Sequence, residues 1–222
     1  MSHIHSWKYL NFWRSPEWKQ IQGVFDDMDQ RGIKYWPKQV DMFRALDLVP
    51  STGVQVLIVG QDPYPNEKMA TGVAFSIPKY IGLLDCPPTL FNILRELQQD
   101  GIQIPYGCLE AWCKQGVLLW NVYPIYDRLG RMKTEHWHGL TEEIVQECNK
   151  PGNVLVFLGA VAQKFAPLPH TNYDAFGRTD AVVLKYSHPS PRGVDKTSTP
   201  FRRSRMFSTI NSHLKPPIDW SL

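Results

Sequence analysis

The chain has 222 residues, with 24 Lys and Arg against 21 Asp and Glu, so its formal charge is +3. Hydrophobic residues make up 43% and charged residues 20%, which excludes a disordered, collagen-like or coiled-coil chain as the main architecture. The length suits one domain spanning residues 1–222, with a helical part at 1–50 and a motif-bearing part at 51–222.

The opening Met1-Ser2-His3-Ile4-His5 lacks a positive stretch followed by an apolar one, so no secretory signal is expected. Helices are expected over Trp18–Asp29 and Pro37–Leu48. Trp7, Trp13 and Trp18 in this part either offer a partner surface or complete the core. Val54–Val59 is the first of four short apolar runs; the others are Val117–Trp120, Val154–Leu158 and Ala181–Leu184. Each is rich in Val, Leu and Ile without period-2 alternation, the pattern of strands buried on both faces of a parallel sheet. Between the runs, Thr89–Gln99 puts Leu90, Ile93, Leu94 and Leu97 on one face after Pro87-Pro88, and Leu140–Cys148 aligns Leu140, Ile144 and Val145. The last predicted helix, Ser198–Leu214, opens on a capping residue and Pro200 and aligns Met206, Phe207, Ile210 and Leu214. The alternation predicts an α/β fold, a three-layer sandwich with a short, mostly parallel four-stranded central sheet flanked by helices.

No apolar run approaches the roughly 18–20 residues that cross a bilayer, so no membrane partner is expected. Cys86, Cys108, Cys113 and Cys148 form no C-x-x-C pair and read as reduced thiols of a cytoplasmic protein. Glu135, His136 and His138 find nothing to complete a metal site, so no metal or other cofactor is expected. Charge is uneven: Lys185, Arg192, Lys196, Arg202, Arg203 and Arg205 face a single acid, Asp195, over 185–205. That segment is either a basic binding surface or a solvated face.

Ligands of α/β folds bind beyond the carboxyl ends of the strands. After the first run comes Gly60-Gln61-Asp62-Pro63-Tyr64-Pro65, after the second Asn121, after the third Gly159-Ala160, and after the fourth Ser187-His188-Pro189-Ser190-Pro191. One carboxylate, one amide and one imidazole therefore converge on one rim. No nucleophile elbow, phosphate loop or dinucleotide fingerprint is present, which argues against acyl transfer by a serine, nucleotide hydrolysis and dinucleotide redox chemistry. A lone carboxylate with an imidazole suits cleavage of a bond whose leaving group carries developing charge. Asn121 presents both a donor and an acceptor, as reading an amide edge requires.

These segments resemble the uracil-DNA glycosylase family, in its common uracil-removing branch, from about Val54 to Trp220. Gly60–Tyr64 resembles the water-activating loop, Gly72–Ser76 the segment whose aromatic stacks on uracil, and Cys86–Leu90 the proline-rich loop. Gly116–Asn121 resembles the uracil-recognition strand, Phe157–Lys164 the glycine–serine loop, His188–Pro191 the DNA-intercalation loop, and Pro217–Trp220 the family's tail. The resemblance implies a metal-independent hydrolase that cleaves the N-glycosidic bond of a uracil flipped out of DNA and leaves an abasic site. It implies that Asp62 stabilises the sugar cation and positions water, and that His188 hydrogen-bonds the charge growing on the uracil oxygen. Phe75 would stack on the base, Asn121 would read its edge, Tyr64 would exclude a C5 methyl, and Gln61 would contact the ring. Pro87, Pro88, Thr89, Gly159, Ala160, Ser190, Pro191 and Arg192 are the implied DNA contacts.

Four positions depart from the family pattern. Pro65 stands where histidine is usual, Ala160 where serine is, Trp120 where leucine is, and Arg192 where a leucine wedge is. Pro65 and Arg192 resemble the poxvirus branch, which suggests a viral, phage or otherwise divergent member, in which case a nuclear or host-cell location applies. A guanidinium is a poorer apolar wedge, so single-stranded DNA is the expected preference. Uracil-mimicking inhibitor proteins and a replication partner are the further partners the resemblance implies, with a monomer as the default. Two alternatives stay open: a weakened DNA-binding or replication-scaffold module of the same fold, and a glycosylase for a modified pyrimidine.

Overall fold

The computed structural model describes residues 6–168 and 180–221; the Met1–His5 start lies outside them. In chain order the elements are α1 (Pro16–Gln30), β1 (Tyr35–Trp36), α2 (Arg44–Leu48), β2 (Val56–Gly60), α3 (Pro88–Gln99), α4 (Glu110–Cys113) and β3 (Val117–Asn121). They continue with β4 (Tyr126–Asp127), α5 (His138–Cys148), β5 (Val154–Leu158), α6 (Ala160–Gln163), β6 (Val182–Tyr186) and α7 (Met206–Ser212). The four apolar runs form one parallel sheet in the order β3-β2-β5-β6, flanked by helices. Every residue of β2, β3 and β5 is buried, as strands covered on both faces require. β6 is an edge strand, only partly buried, with Lys185 exposed.

The chain leaves β2 for β3 on one side and later returns past it to β5 on the other. That reversal puts a crevice beyond the carboxyl end of β2, where such folds bind ligands. The register places Gly60 opposite Asn121, so the two strands end together at the crevice.

Helix starts follow local chemistry. Ser15 caps α1, its hydroxyl accepting from the Trp18 N–H at 3.1 Å, with Pro16 at the first helical position. α3 begins at Pro88 and buries Leu90, Ile93, Leu94 and Leu97. Two expected helices are shorter than the periodicity implies. Only Arg44–Leu48 of 37–48 is helical, because 38–44 closes i to i+3 turns (Asp41 N–H to Lys38 O, Arg44 N–H to Asp41 O) and packs against Gly72. A Cβ on Gly72 would lie 1.7 Å from the Asp41 carbonyl oxygen, so that contact admits glycine alone. Of 198–214 only Met206–Ser212 is helical. Buried Glu96 of α3 captures the Arg203 N–H at 2.8 Å and the Arg205 N–H at 2.7 Å, holding a turn with φ of 62° and 50° at those arginines.

The N-terminal tryptophans are absorbed by the core. Trp7 is fully buried and donates from Nε1 to the Val49 carbonyl at 2.9 Å, so it is not a partner surface. Trp13 and Trp18 pack edge to face and both meet Phe43, which stacks on Trp120. The indole at Trp120 donates to Thr141 Oγ1 at 3.0 Å, and that hydroxyl donates to the Val122 carbonyl at 3.2 Å. The larger ring at 120 is thereby satisfied inside the core. At the other end, Trp220 packs against Trp112 and Phe207. β1 and β4 form a separate antiparallel pair that the sequence patterns did not announce. No helix among the described residues is long and apolar enough to cross a membrane.

Candidate active site

A cavity of about 500 Å³ lies at the carboxyl end of the sheet. Asp62, Tyr64, Phe75, Thr89, Asn121, His188, Ser190 and Arg192 all line it. The residues arrive from five chain segments, each fixed by its own local bonding.

The first segment lies after β2. Val122 N–H donates to Gly60 O at 3.0 Å and Tyr123 N–H to Gln61 O at 2.9 Å, so the ladder continues one residue past the strand. Gln61 is therefore pinned by its backbone beside the cavity rather than lining it. Pro63, buried, and Pro65 stiffen the loop on either side of Tyr64. Asp62 keeps an accessible face, so water reaches its carboxylate, while the surrounding walls raise its pKa by desolvation. The Gln61 side chain and the Asp62 backbone N–H work the other way. Tyr64 is packed inward, which pushes its phenol pKa up, and its hydroxyl donates to the Phe75 carbonyl at 2.9 Å.

That bond reaches the second segment. Phe75 adopts φ of 65°, an uncommon conformation for an aromatic residue that costs on the order of 1–3 kcal/mol. Its neighbours hold it there: Ala74 N–H donates to Leu119 O at 3.1 Å and buried Ser76 accepts the Leu109 N–H at 2.9 Å. The ring lies against the end of β2, where a Cβ on Gly60 would meet Phe75 Cζ at 2.6 Å and Asn121 Oδ1 at 2.8 Å. Asn121 ends β3 at 8% exposure, and its side-chain amide makes no hydrogen bond to another described residue. A buried, unpartnered amide facing a cavity is a reader waiting for a ligand edge.

His188 comes after β6. Its Nδ1 accepts the Ser190 N–H at 3.1 Å, which leaves Nε2 as the protonated, donating nitrogen of a neutral ring. Burial lowers its pKa below the ordinary 6.5, so the ring is neutral at pH 7. The Phe75 and His188 ring centroids stand 6.4 Å apart at 48°. Ser187 anchors the loop from beneath, its buried hydroxyl donating to Val194 O and accepting the Phe201 N–H, both at 2.8 Å. From α3, Asn92 Nδ2 donates to Pro189 O at 2.7 Å. Gly159 and Gly193 let the backbone approach the imidazole, since a Cβ on them would lie 2.8 and 3.2 Å from His188 Cβ.

The remaining expected residues surround these. Thr89, Ser190 and exposed Arg192 line the cavity, while Pro87 and Pro88 lead into α3. Gly159 sits against His188, Ala160 is exposed at the start of α6, and Pro191 is exposed beside Arg192. Sequence reasoning missed Tyr126, which lines the cavity from β4, and the anchors Ser187 and Asn92. The strand–loop signal marked their neighbourhood but not these side chains. No cluster of three or more metal-ligating side chains occurs among the described residues.

The profile of the Uracil DNA glycosylase superfamily matches residues 46–215. The uracil-DNA glycosylase of Xanthomonas axonopodis pv. citri is 34% identical over 217 residues, covering 93% of this chain and 85% of the relative. That of Rhizobium meliloti is 36% identical over 205 residues, covering 87% and 79%. The chain belongs to the uracil-DNA glycosylase family. Its activity is that of the family: hydrolysis of the N-glycosidic bond of uracil in DNA, a repair reaction. In fold it is similar to mimivirus uracil-DNA glycosylase, with a TM-score of 0.79, 23% identity and coverage of 98% of this chain and 87% of that one. A second mimivirus structure, at TM-score 0.79 and 22% identity, holds that protein in complex with UGI. In uracil-DNA glycosylase terms, the cavity has an accessible carboxylate, an unpartnered amide, a fixed aromatic face and a neutral imidazole donor around one space.

Proposed function

We propose that this cavity is the uracil pocket and that Asp62 and His188 are its catalytic residues. The observation that carries the reading is the convergence of Asp62, Phe75, Asn121 and His188 on one cavity large enough for a nucleobase. Uracil enters with its face against Phe75 and its Watson–Crick edge toward the Asn121 amide. Uracil and cytosine exchange donor and acceptor on that edge, so a fixed amide discriminates between them. Tyr64, tethered to the Phe75 carbonyl, closes the space beside C5 and excludes a methyl group. Gln61 borders the ring through its pinned backbone.

As the glycosidic bond lengthens, negative charge grows on the uracil oxygen and positive charge on the sugar. The His188 Nε2–H donates to that oxygen, and neutrality of the ring makes it a hydrogen-bond donor rather than a proton source. The Asp62 carboxylate stabilises the sugar cation and orients the water that attacks it. The carbon–nitrogen bond breaks with its electron pair leaving on uracil, water oxygen bonds to the sugar carbon, and the water proton is lost to Asp62. Thr89, Ser190, Pro191 and Arg192, with Pro87, Pro88 and the Gly159–Ala160 turn, hold the strand's phosphates around the mouth.

The first 50 residues belong to the same folding unit in this reading, supported by Trp7 and the Phe43–Trp120 stack. Uracil-mimicking inhibitor proteins are proposed as partners on the strength of the UGI-bound mimivirus relative. A cytoplasmic location is proposed from the likeness to the bacterial relatives. A monomer is proposed as the default for the family.

The test is excision from a labelled oligonucleotide with one uracil, single-stranded and paired, in chelator, read by alkali cleavage. Asp62→Asn and His188→Ala should each lose at least about 100-fold in single-turnover rate while DNA binding persists. Full activity in either variant would remove that residue from the chemistry.

A further inference from the structure

Tyr126 lines the uracil cavity, yet the excision chemistry gives it nothing to do. Its ring stacks on Trp36, with centroids 6.0 Å apart and planes 20° apart. The β1–β4 pairing sets the two residues directly opposite each other, and both remain half-buried. Trp36 in turn lines a second groove of about 470 Å³ together with Tyr35, Lys34 and Lys38. The stacked pair thus links the two depressions, Tyr126 lining one and Trp36 the other. Lys34 and Lys38 are exposed, and neither forms an ion pair with another described residue. Asp29 and Glu67 also border the groove, so it is not a uniformly cationic channel. Asp29 is engaged by the Tyr35 hydroxyl at 2.9 Å.

We propose that the Trp36–Tyr126 pair is a stacking platform for the DNA base next to the uracil, with Lys34 and Lys38 beside the phosphates of the strand as it leaves the cavity. This rests on the reading of the cavity as the uracil pocket. Extruding a base leaves its neighbour with one unstacked face, and an aromatic side chain replaces that contact whatever the neighbour's identity. Trp36 behind Tyr126 holds the outer ring in place, so little side-chain freedom is lost when a base arrives.

The experiment uses single-stranded oligonucleotides with one uracil, in which the 5′ or the 3′ neighbour carries either a normal base or a stable abasic analogue. Removing the base on one side should raise the wild-type KM on the order of tenfold. Trp36→Leu should raise KM by a similar factor on the complete oligonucleotide and add nothing on the base-deleted one, and Trp36→Phe should restore most of the loss. The platform is overturned if base removal on neither side raises the wild-type KM. It is equally overturned if the Trp36→Leu penalty persists in full on the base-deleted strand. The wild-type arm needs no variant to fold. Asp62→Asn on the same strands separates the two readings: an inactive variant beside a flank-independent wild-type KM removes only the platform, and a fully active variant removes the pocket reading as well.

Discussion

Gly60 sits where a methyl group has no room. The added Cβ would overlap the Phe75 ring and the Asn121 amide oxygen at once, 2.6 and 2.8 Å away. Gly60→Ala should therefore displace both proposed base contacts and lower kcat/KM by about 100-fold, a cost typical of an angstrom-scale misplacement. Thermal melting should change little by comparison, which separates the effect from unfolding. The pH dependence belongs to the same scale. Burial lowers the His188 pKa below 6.5 and raises that of Asp62 above 3.8. In the proposed chemistry the working forms are neutral His188 and ionised Asp62, and both are lost as pH falls, so the activity should show an acid limb. In the wild type the limb should include a His188 step below pH 6.5; in His188→Ala that contribution should vanish, leaving the carboxylate step above 3.8. The unfolded chain takes up the histidine proton first, so this group's contribution to stability is complete above 6.5 and fades as pH falls toward the folded pKa. A wild-type limb above 6.5 would contradict the assignment.

At the scale of elements, the loop after β6 is the part most dependent on buried polar anchors. Ser187 joins its start to Val194 and Phe201, and its backbone N–H donates to Thr199 O at 2.9 Å. Ser187→Ala removes the hydroxyl that bridges the Val194 carbonyl and the Phe201 N–H, which stay bonded to each other at 2.9 Å, so the loss is that of ordinary hydrogen bonds, about 0.5–1.5 kcal/mol. Tm should fall by roughly 1–6 °C. Excision should fall with it, because His188 and Arg192 ride on the same loop; an unchanged Tm would show that water replaces the hydroxyl. This element also marks the limit of periodicity. Met206, Phe207 and Ile210 are spaced for a helix and form one, but 198–205 does not join it because Glu96, distant in sequence, takes its backbone N–H groups. In the same way 37–43 is kept in turns by its contact with Gly72. Local patterns report what a segment prefers; a carboxylate or glycine arriving from elsewhere decides whether the preference is met.

Over the whole molecule the charge is small, +3, and its placement matters more than its sum. Arg202 is partly spent on Asp195, with 3.2 Å between them, whereas Arg192 stands exposed on the cavity rim. Arg192→Ala should weaken binding to single strands and reduce the slope of log KM against log salt by about 0.7, the value of one lost phosphate contact. Arg192→Leu should raise activity on duplex relative to single strand by supplying an apolar wedge. An unchanged slope and ratio in the two variants would take Arg192 out of the DNA interface.

The sequence by itself determined the four strands, because runs such as Val56–Val59 and Val154–Leu158 are too uniformly apolar for any place but a sheet covered on both faces. It also marked Asp62, Asn121 and His188, because chemistry in such a sheet gathers where strands end, and each of these lies at or just past a strand end. Only the tertiary structure decided what surrounds them. The Tyr64–Phe75 tether, the Ser187 and Asn92 anchors and the Trp36–Tyr126 stack each join residues at least seven positions apart, most of them far more. No short window of sequence contains both halves of such contacts, and their energies depend on distances that only the packed sheet and its loops set.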